Sequence, residues 1–149
     1  MQVCAILVKI DEYLFNKQYV YANVHEISVI SGIVNAVLKE LEKHDAVKVS
    51  NVDLLIGDMT LLGEEQLMFA YEIVTRDTLL EGSTLNIERE PIGVICDECR
   101  YEGPVKMLES GDYTAHSIPI MSCPECGGHV KVKTGQSCRV TSFEIEEAD

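Results

Sequence analysis

The chain contains no Trp, and aromatic residues make up only 6% of it. Basic side chains are scarce as well: 12 Lys and Arg stand against 25 Asp and Glu, which leaves a formal charge of −13. Such a surface repels phosphate backbones and puts generic nucleic-acid binding at a disadvantage. No apolar run approaches the ~20 residues needed to span a bilayer, so the sequence reads as a soluble protein with no membrane partner. A secretory signal is missing too. The apolar stretch from Val3 to Val8 is short, no basic flank precedes it, and Asp11 and Glu12 follow. A length of 149 residues excludes large multidomain enzymes and suits one domain, or one small domain with a metal-clipped appendage.

What the sequence does have is cysteine. Four of its six Cys form two Cys-x-x-Cys pairs, Cys96/Cys99 and Cys123/Cys126, while Cys4 and Cys138 stand apart. Without a signal segment this spacing favours a metal site over a disulfide framework and a cytoplasmic location over a secreted one. Each pair places two thiolates on a tight turn whose backbone amides can donate to sulfur. Two such knuckles facing each other make a tetrahedral four-sulfur site that suits Zn2+ as a structural ion. Gly127 and Gly128 after the second pair supply the positive φ such a turn needs. Cys-Pro-Glu-Cys-Gly also resembles a rubredoxin knuckle holding redox-active iron, but the aromatic shell of such a site is missing. A nucleic-acid-binding ribbon would need a basic face with aromatics, whereas Lys131, Lys133 and Arg139 are set against six acids. Cys138 reads as a buried thiol.

The rest of the chain divides into elements by periodicity. From Val24, the residues Ile27, Ile30, Val34, Val37 and Leu41 recur at helical steps, widened by Ile33 and Leu38. Glu26 at the start and Lys43-His44 at the end suit the helix dipole. Val47 to Ile56 alternates as a strand, and Gly63 to Thr78 reads as a second helix with Leu67, Ala70, Tyr71 and Val74 on one face. Thr84 to Glu90 is a short strand closed by Pro91. Ile92 to Arg100 leads a strand into the first knuckle, and the stretch from Arg100 to Ser122 reads as loop. His129–Lys133 and Ser137–Glu146, separated by Thr134-Gly135-Gln136, read as a hairpin. The tail from Ser142 is expected to return as an edge strand. Charge divides the chain in the same way: residues 24–91 hold 13 acids and 5 bases, residues 92–141 hold 6 and 5. The expectation is an α+β chain: a small sheet with two amphipathic helices in residues 24–91 with 142–149, a four-cysteine zinc ribbon in residues 92–141, and an extension over residues 1–23.

Val24-His25-Glu26-Ile27-Ser28 at the start of the first helix resembles the beginning of the hydrogenase nickel-incorporation proteins of the HypA/HybF family. The resemblance runs from Val24 to Glu147. It includes Leu55-Ile56-Gly57-Asp58, the acidic second helix, both knuckles and the closing Ser142-Phe143-Glu144-Ile145. It implies a nickel metallochaperone that binds without turnover. Such a protein passes Ni2+, with a nickel-handling GTPase, to the hydrogenase large subunit; some lineages also serve urease. By likeness His25 is the nickel ligand with Glu26 beside it, and Cys96, Cys99, Cys123 and Cys126 hold structural zinc. His116, between the knuckles, is a further nickel donor or an exposed loop residue; His129 reads as facing solvent.

In the family the His follows the initiating Met, whereas here His25 follows Val24. Since GUG encodes Val and can also start translation, the expectation is a native chain beginning at residue 24. The chain is expected to act as monomer or dimer, and the alternative reading is a zinc-ribbon interaction module that only scaffolds another protein. For an enzyme the residues offer no Ser/His/Asp or Cys/His arrangement, no Gly-rich phosphate loop and no vacant position on a four-cysteine zinc.

Overall fold

In a computed structural model, which describes residues 4–9, 26–108 and 118–148, the chain divides into two compact units. The strands in chain order are β1 (Cys4–Lys9), β2 (Ala46–Gly57), β3 (Thr84–Glu90), β4 (Gly93–Cys96), β5 (Glu102–Pro104), β6 (Met107–Leu108), β7 (Ile118–Pro119), β8 (Val130–Thr134) and β9 (Cys138–Glu147). The helices are α1 (Glu26–Leu41) and α2 (Glu64–Val74). The first unit draws on the chain up to Leu55, on Leu62–Glu88 and on Cys138 onward; the second combines Ile56–Leu61 with Arg89–Ser137.

The first unit is built around the apolar stripe of α1. Val29, Ile30, Ile33, Val34, Val37 and Leu41 are buried, and Leu67, Ala70 and Tyr71 form the buried face of α2. Among the strands, Val49, Val52, Leu54, Val140, Phe143 and Ile145 are buried, with Val49, Val52, Phe143 and Ile145 fully so. Ile27 departs from the expected stripe. It lies in the first turn of α1 and is 53% exposed. The sheet has the order β1-β9-β2-β3. Asp53 on β2 ties three of these strands together. Its carboxylate accepts from Asn86 Nδ2 (3.0 Å) and Ser142 Oγ (2.7 Å), and its carbonyl from Thr141 Oγ1 (3.3 Å).

Two elements of this unit differ from their sequence reading. α2 stops at Val74 instead of reaching Thr78, because the Thr75 hydroxyl turns back to the Tyr71 carbonyl (2.7 Å) and Asp77 takes a left-handed conformation at φ +61°. The following turn then buries Leu80 completely. The tail strand is also not an edge. β9 lies between β1 and β2, paired antiparallel with β1 from Cys4↔Glu147 to Lys9↔Ser142.

In the second unit β4 is the middle strand of a three-stranded sheet, antiparallel to both β5 and β8. β8 and β9 therefore do not form the expected hairpin; they belong to different sheets. The reason lies in the intervening turn, whose polar groups are taken by distant backbone. Gly57 N–H donates to the Ser137 carbonyl (2.6 Å) and Met59 N–H to the Gly135 carbonyl (2.9 Å). The Glu90 carboxylate accepts from the Gly135 amide, and also from Ser137 Oγ (2.9 Å) and the Ser137 amide (3.4 Å). The stretch after Arg100, read as loop, carries β5 and the pair β6/β7, with Met107 opposite Pro119 and Leu108 opposite Ile118. A small core of Ile92, Val94, Cys96, Val105, Cys123 and Val130 lies beneath, with Met59, Tyr101 and Val132 packed against it.

The backbone crossing at Gly57 and the open surface at Gly32 give a paired prediction. A Cβ at Gly57 would overlap the Gly135 carbonyl, whereas one at Gly32 inside α1 would meet nothing within 4 Å. Gly57→Ala is expected to cost about 1–3 kcal/mol or more, because backbone cannot rotate out of the way. Gly32→Ala is expected to stabilise by about 0.5–1 kcal/mol through helix propensity. Thermal unfolding of the two variants should shift the midpoint in opposite directions.

Candidate metal centre

The two knuckles adopt the same local fold. Cys96 closes β4, its N–H donating to the Tyr101 carbonyl (2.8 Å) and its carbonyl accepting from the Arg100 amide (3.1 Å). In the second knuckle Cys123 N–H donates to the Gly128 carbonyl (3.0 Å), and the Cys123 carbonyl accepts from Gly127 (2.9 Å). The residue after the outer cysteine is left-handed in both, Arg100 at φ +64° and Gly127 at φ +73°. A glycine meets that requirement without strain, while Arg100 carries a cost of roughly 1 kcal/mol. Gly128 serves differently: its bare Cα leaves room for the Glu98 carboxylate, a packing relation that the sequence reading did not anticipate.

These turns aim four sulfurs at one point. The Sγ atoms lie within 4.8 Å of one another, with Cys96–Cys126 at 3.6 Å and Cys99–Cys123 at 3.5 Å. A tetrahedron with metal–sulfur bonds of ~2.3 Å holds its sulfurs roughly 3.8 Å apart, so the donor set fits a tetrahedral soft-ligand ion. Backbone amides stabilise the sulfur charge: Glu98 and Cys99 point at Cys96 Sγ (3.4 and 3.5 Å) and Glu125 at Cys123 Sγ (3.4 Å). Cys96 and Cys123 are buried, and Cys99 and Cys126 are exposed. On the rim, Asp97 faces His129 Nδ1 (3.5 Å) and Lys131 Nζ (3.6 Å), exposed pairs that contribute little energy.

The four thiols do not share protons evenly. Burial raises the Cys123 thiol, but the amides of Cys126 and Glu125 and the neighbouring thiols outweigh it and bring the group down to about 7. At Cys126 the Gly128 amide favours the thiolate, yet the adjoining sulfurs of Cys96 and Cys99 push it up to about 12. Cys99 is raised as well: the Tyr101 backbone favours its thiolate, and the neighbouring Cys123 and burial outweigh that. Cys138, away from the cluster, is partly buried, and burial pushes its thiol up to about 11, in line with an inert thiol.

Among the described residues the four cysteines are the only group of three or more His, Cys, Asp or Glu gathered closely enough to hold an ion. Glu26 is the first residue of α1 and half-buried. Val24, His25 and His116 lie outside the described residues. A family model described as hydrogenase/urease nickel incorporation, metallochaperone, hypA matches residues 24–145. The chain belongs to the HypA family. The hydrogenase maturation factor HypA of Methanothermobacter thermautotrophicus is 40% identical over 126 residues, covering 84% of this chain and 99% of the relative. That of Lawsonia intracellularis is 30% identical over 124 residues, covering 82% and 99%. The solution structure of the Ni metallochaperone HypA from Helicobacter pylori shares the fold at a TM-score of 0.55 and 23% identity, over 85% of this chain and 100% of that one. Both the family resemblance and the α+β architecture with a four-cysteine, ribbon-like site are thereby borne out. The HypA match begins at Val24, one residue before His25.

Two predictions follow from the thiol geometry. An ion binds only thiolates, so loading at pH 7 must expel the protons held by Cys99 and Cys126. With those two protons displaced, and Cys123 taking up a third as the pH falls through about 7, apparent affinity should fall by at least a hundredfold for each pH unit below 7, as read by release of the ion to a colorimetric chelator. In the loaded protein, Gly127→Ala should lower stability by about 1 kcal/mol and Arg100→Gly should leave it unchanged or raise it, measured by thermal unfolding.

Proposed function

We propose that this chain collects Ni2+ as cargo and delivers it, together with a nickel-handling GTPase, to the large subunit of nickel–iron hydrogenase. The observation that carries this reading is the HypA-family match over residues 24–145, which opens at His25-Glu26 and encloses both knuckles. His25 is the principal nickel ligand, Glu26 adjoins it, and His116 is a further donor. Imidazole and amide nitrogens suit a square-planar Ni2+, and a site at the start of a helix leaves room for a receiving protein to take the ion. Each nitrogen donor must lose its proton to bind, so capture and release respond to pH.

The four cysteines hold Zn2+ as a permanent strut. Sulfur-only donors, two of them buried, suit retention, while nitrogen donors that bind only when deprotonated suit handing over. When bound, zinc supplies crosslinking charge between the two knuckles. The chain's own contribution is the set of amides of Glu98, Cys99 and Glu125 that spread the sulfur charge. The protein acts by binding rather than by turnover, in the cytoplasm where its thiols stay reduced.

A calorimetric Ni2+ titration of the zinc-loaded protein tests this. Binding is expected for the chain beginning Met-His25, loss of at least tenfold in affinity for His25→Ala, and weaker binding for the 149-residue chain. Equal binding by both lengths would remove the terminal amine from the ligand set and favour His116. No binding by either would leave a zinc-stapled interaction module that scaffolds a partner.

A further inference from the structure

We infer that the groove between the first turns of α1 and α2 is a docking site for a basic amphipathic helix of a protein partner. Ile27 and Phe69 form its walls, the buried Ala70 its floor, and Glu26, Glu65 and Gln66 its rim; its volume is about 490 Å³. That size lies within the ~300–1,000 Å³ of clefts that bind a ligand group. Phe69 is 64% exposed. Ile73, one helical turn further on, and Met68 are exposed as well. Glu65, Phe69 and Ile73 thus follow one another at i, i+4 and i+8 along the outer face of α2, which suits a helix laid alongside with its own i, i+4 anchors.

Charge selects the occupant. The groove is lined by two acids, Glu26 and Glu65, one on each helix start, and by no described Lys or Arg. The bases of the α1 region, Lys39 and Lys43, lie at its opposite end. Among the described residues no ion pair engages Glu26 or Glu65. A second copy of this face would bring two acids against two, and an anionic membrane surface would be repelled in the same way. A helix carrying Leu or Phe on one side and Lys or Arg beside it meets both the apolar walls and the acidic rim. The inference rests on this unit alone and holds whether or not the chain binds nickel.

The test uses the full zinc-loaded chain and two fluorescein-labelled 18-residue amphipathic helices, one of Leu and Lys, the other of Leu and Glu. The Leu/Lys helix is expected to bind, with amide shifts concentrated at residues 26–27 and 65–73, and the Leu/Glu helix to bind at least tenfold more weakly. Phe69→Ser, an exposed position whose change leaves net charge untouched, should weaken the Leu/Lys helix at least tenfold. Glu26→Lys/Glu65→Lys should do the same. Glu42→Lys/Glu88→Lys alters net charge equally at exposed sites elsewhere and should change affinity less than twofold. Absence of binding, equal binding of both helices, or equal weakening by the remote pair would overturn the proposal. So would a dimer of the chain that Phe69→Ser dissociates in sedimentation, since a second copy would then be the occupant.

Discussion

Two turns, 27 residues apart in the chain, bring four sulfurs to within 4.8 Å of one another, and the second unit is organised around that convergence. Among the described residues its buried core holds six side chains, two of them the inner cysteines themselves, with Met59, Tyr101 and Val132 packed against it. So small an apolar core offsets little of the conformational entropy of ordering the unit, at roughly 1–2 kcal/mol per residue for the backbone alone. Like charges on four converging thiolates would oppose folding further. An ion at their centre would reverse that sign and would couple folding of this unit to filling of the site. The amides directed at Cys96 and Cys123 are part of the same balance, since they take up sulfur charge that the core could not tolerate unpaired.

A second constraint belongs to the backbone. Gly57, Gly135 and Ser137 meet main chain to main chain, and Glu90 receives the turn's remaining donors from 45 and 47 residues away. Removing the Glu90 carboxylate would strand buried donors, a cost of about 1–3 kcal/mol for each group left unpaired. The Gly57 contact explains a glycine at a strand end that could otherwise pass for a simple stop signal.

These two constraints also separate what was legible in the amino-acid order from what was not. The stripe of α1, the alternation of Val52, Leu54 and Ile56 and the paired knuckles are local periodicities or spacings, and each could be read directly. Phe143 and Ile145 signalled a returning strand, but β9 became an inner strand because β1 pairs with its far side. The turn at Thr134-Gly135-Gln136 has the composition of a hairpin loop, yet the Gly135 amide is claimed by Glu90 and the Gly135 carbonyl by Met59, while Gly57 takes the Ser137 carbonyl just beyond. No local pattern encodes that. The early end of α2 rests on one Thr hydroxyl competing with the helix ladder, a choice that periodicity cannot register. At the metal centre the ligands and the need for Gly127 were visible, whereas the role of Gly128 depends on where Glu98 points.

Each knuckle keeps one sulfur in the core and turns the other outward, so the centre has a front and a back. Among the described residues, an electrophile, an oxidant or a competing chelator meets Cys99 and Cys126 first, while Cys96 and Cys123 are buried with Val94, Val105 and Val130. Dismantling of a filled site would therefore have a direction. The outer pair would let go first, and the inner pair would hold an ion until the small core itself opened.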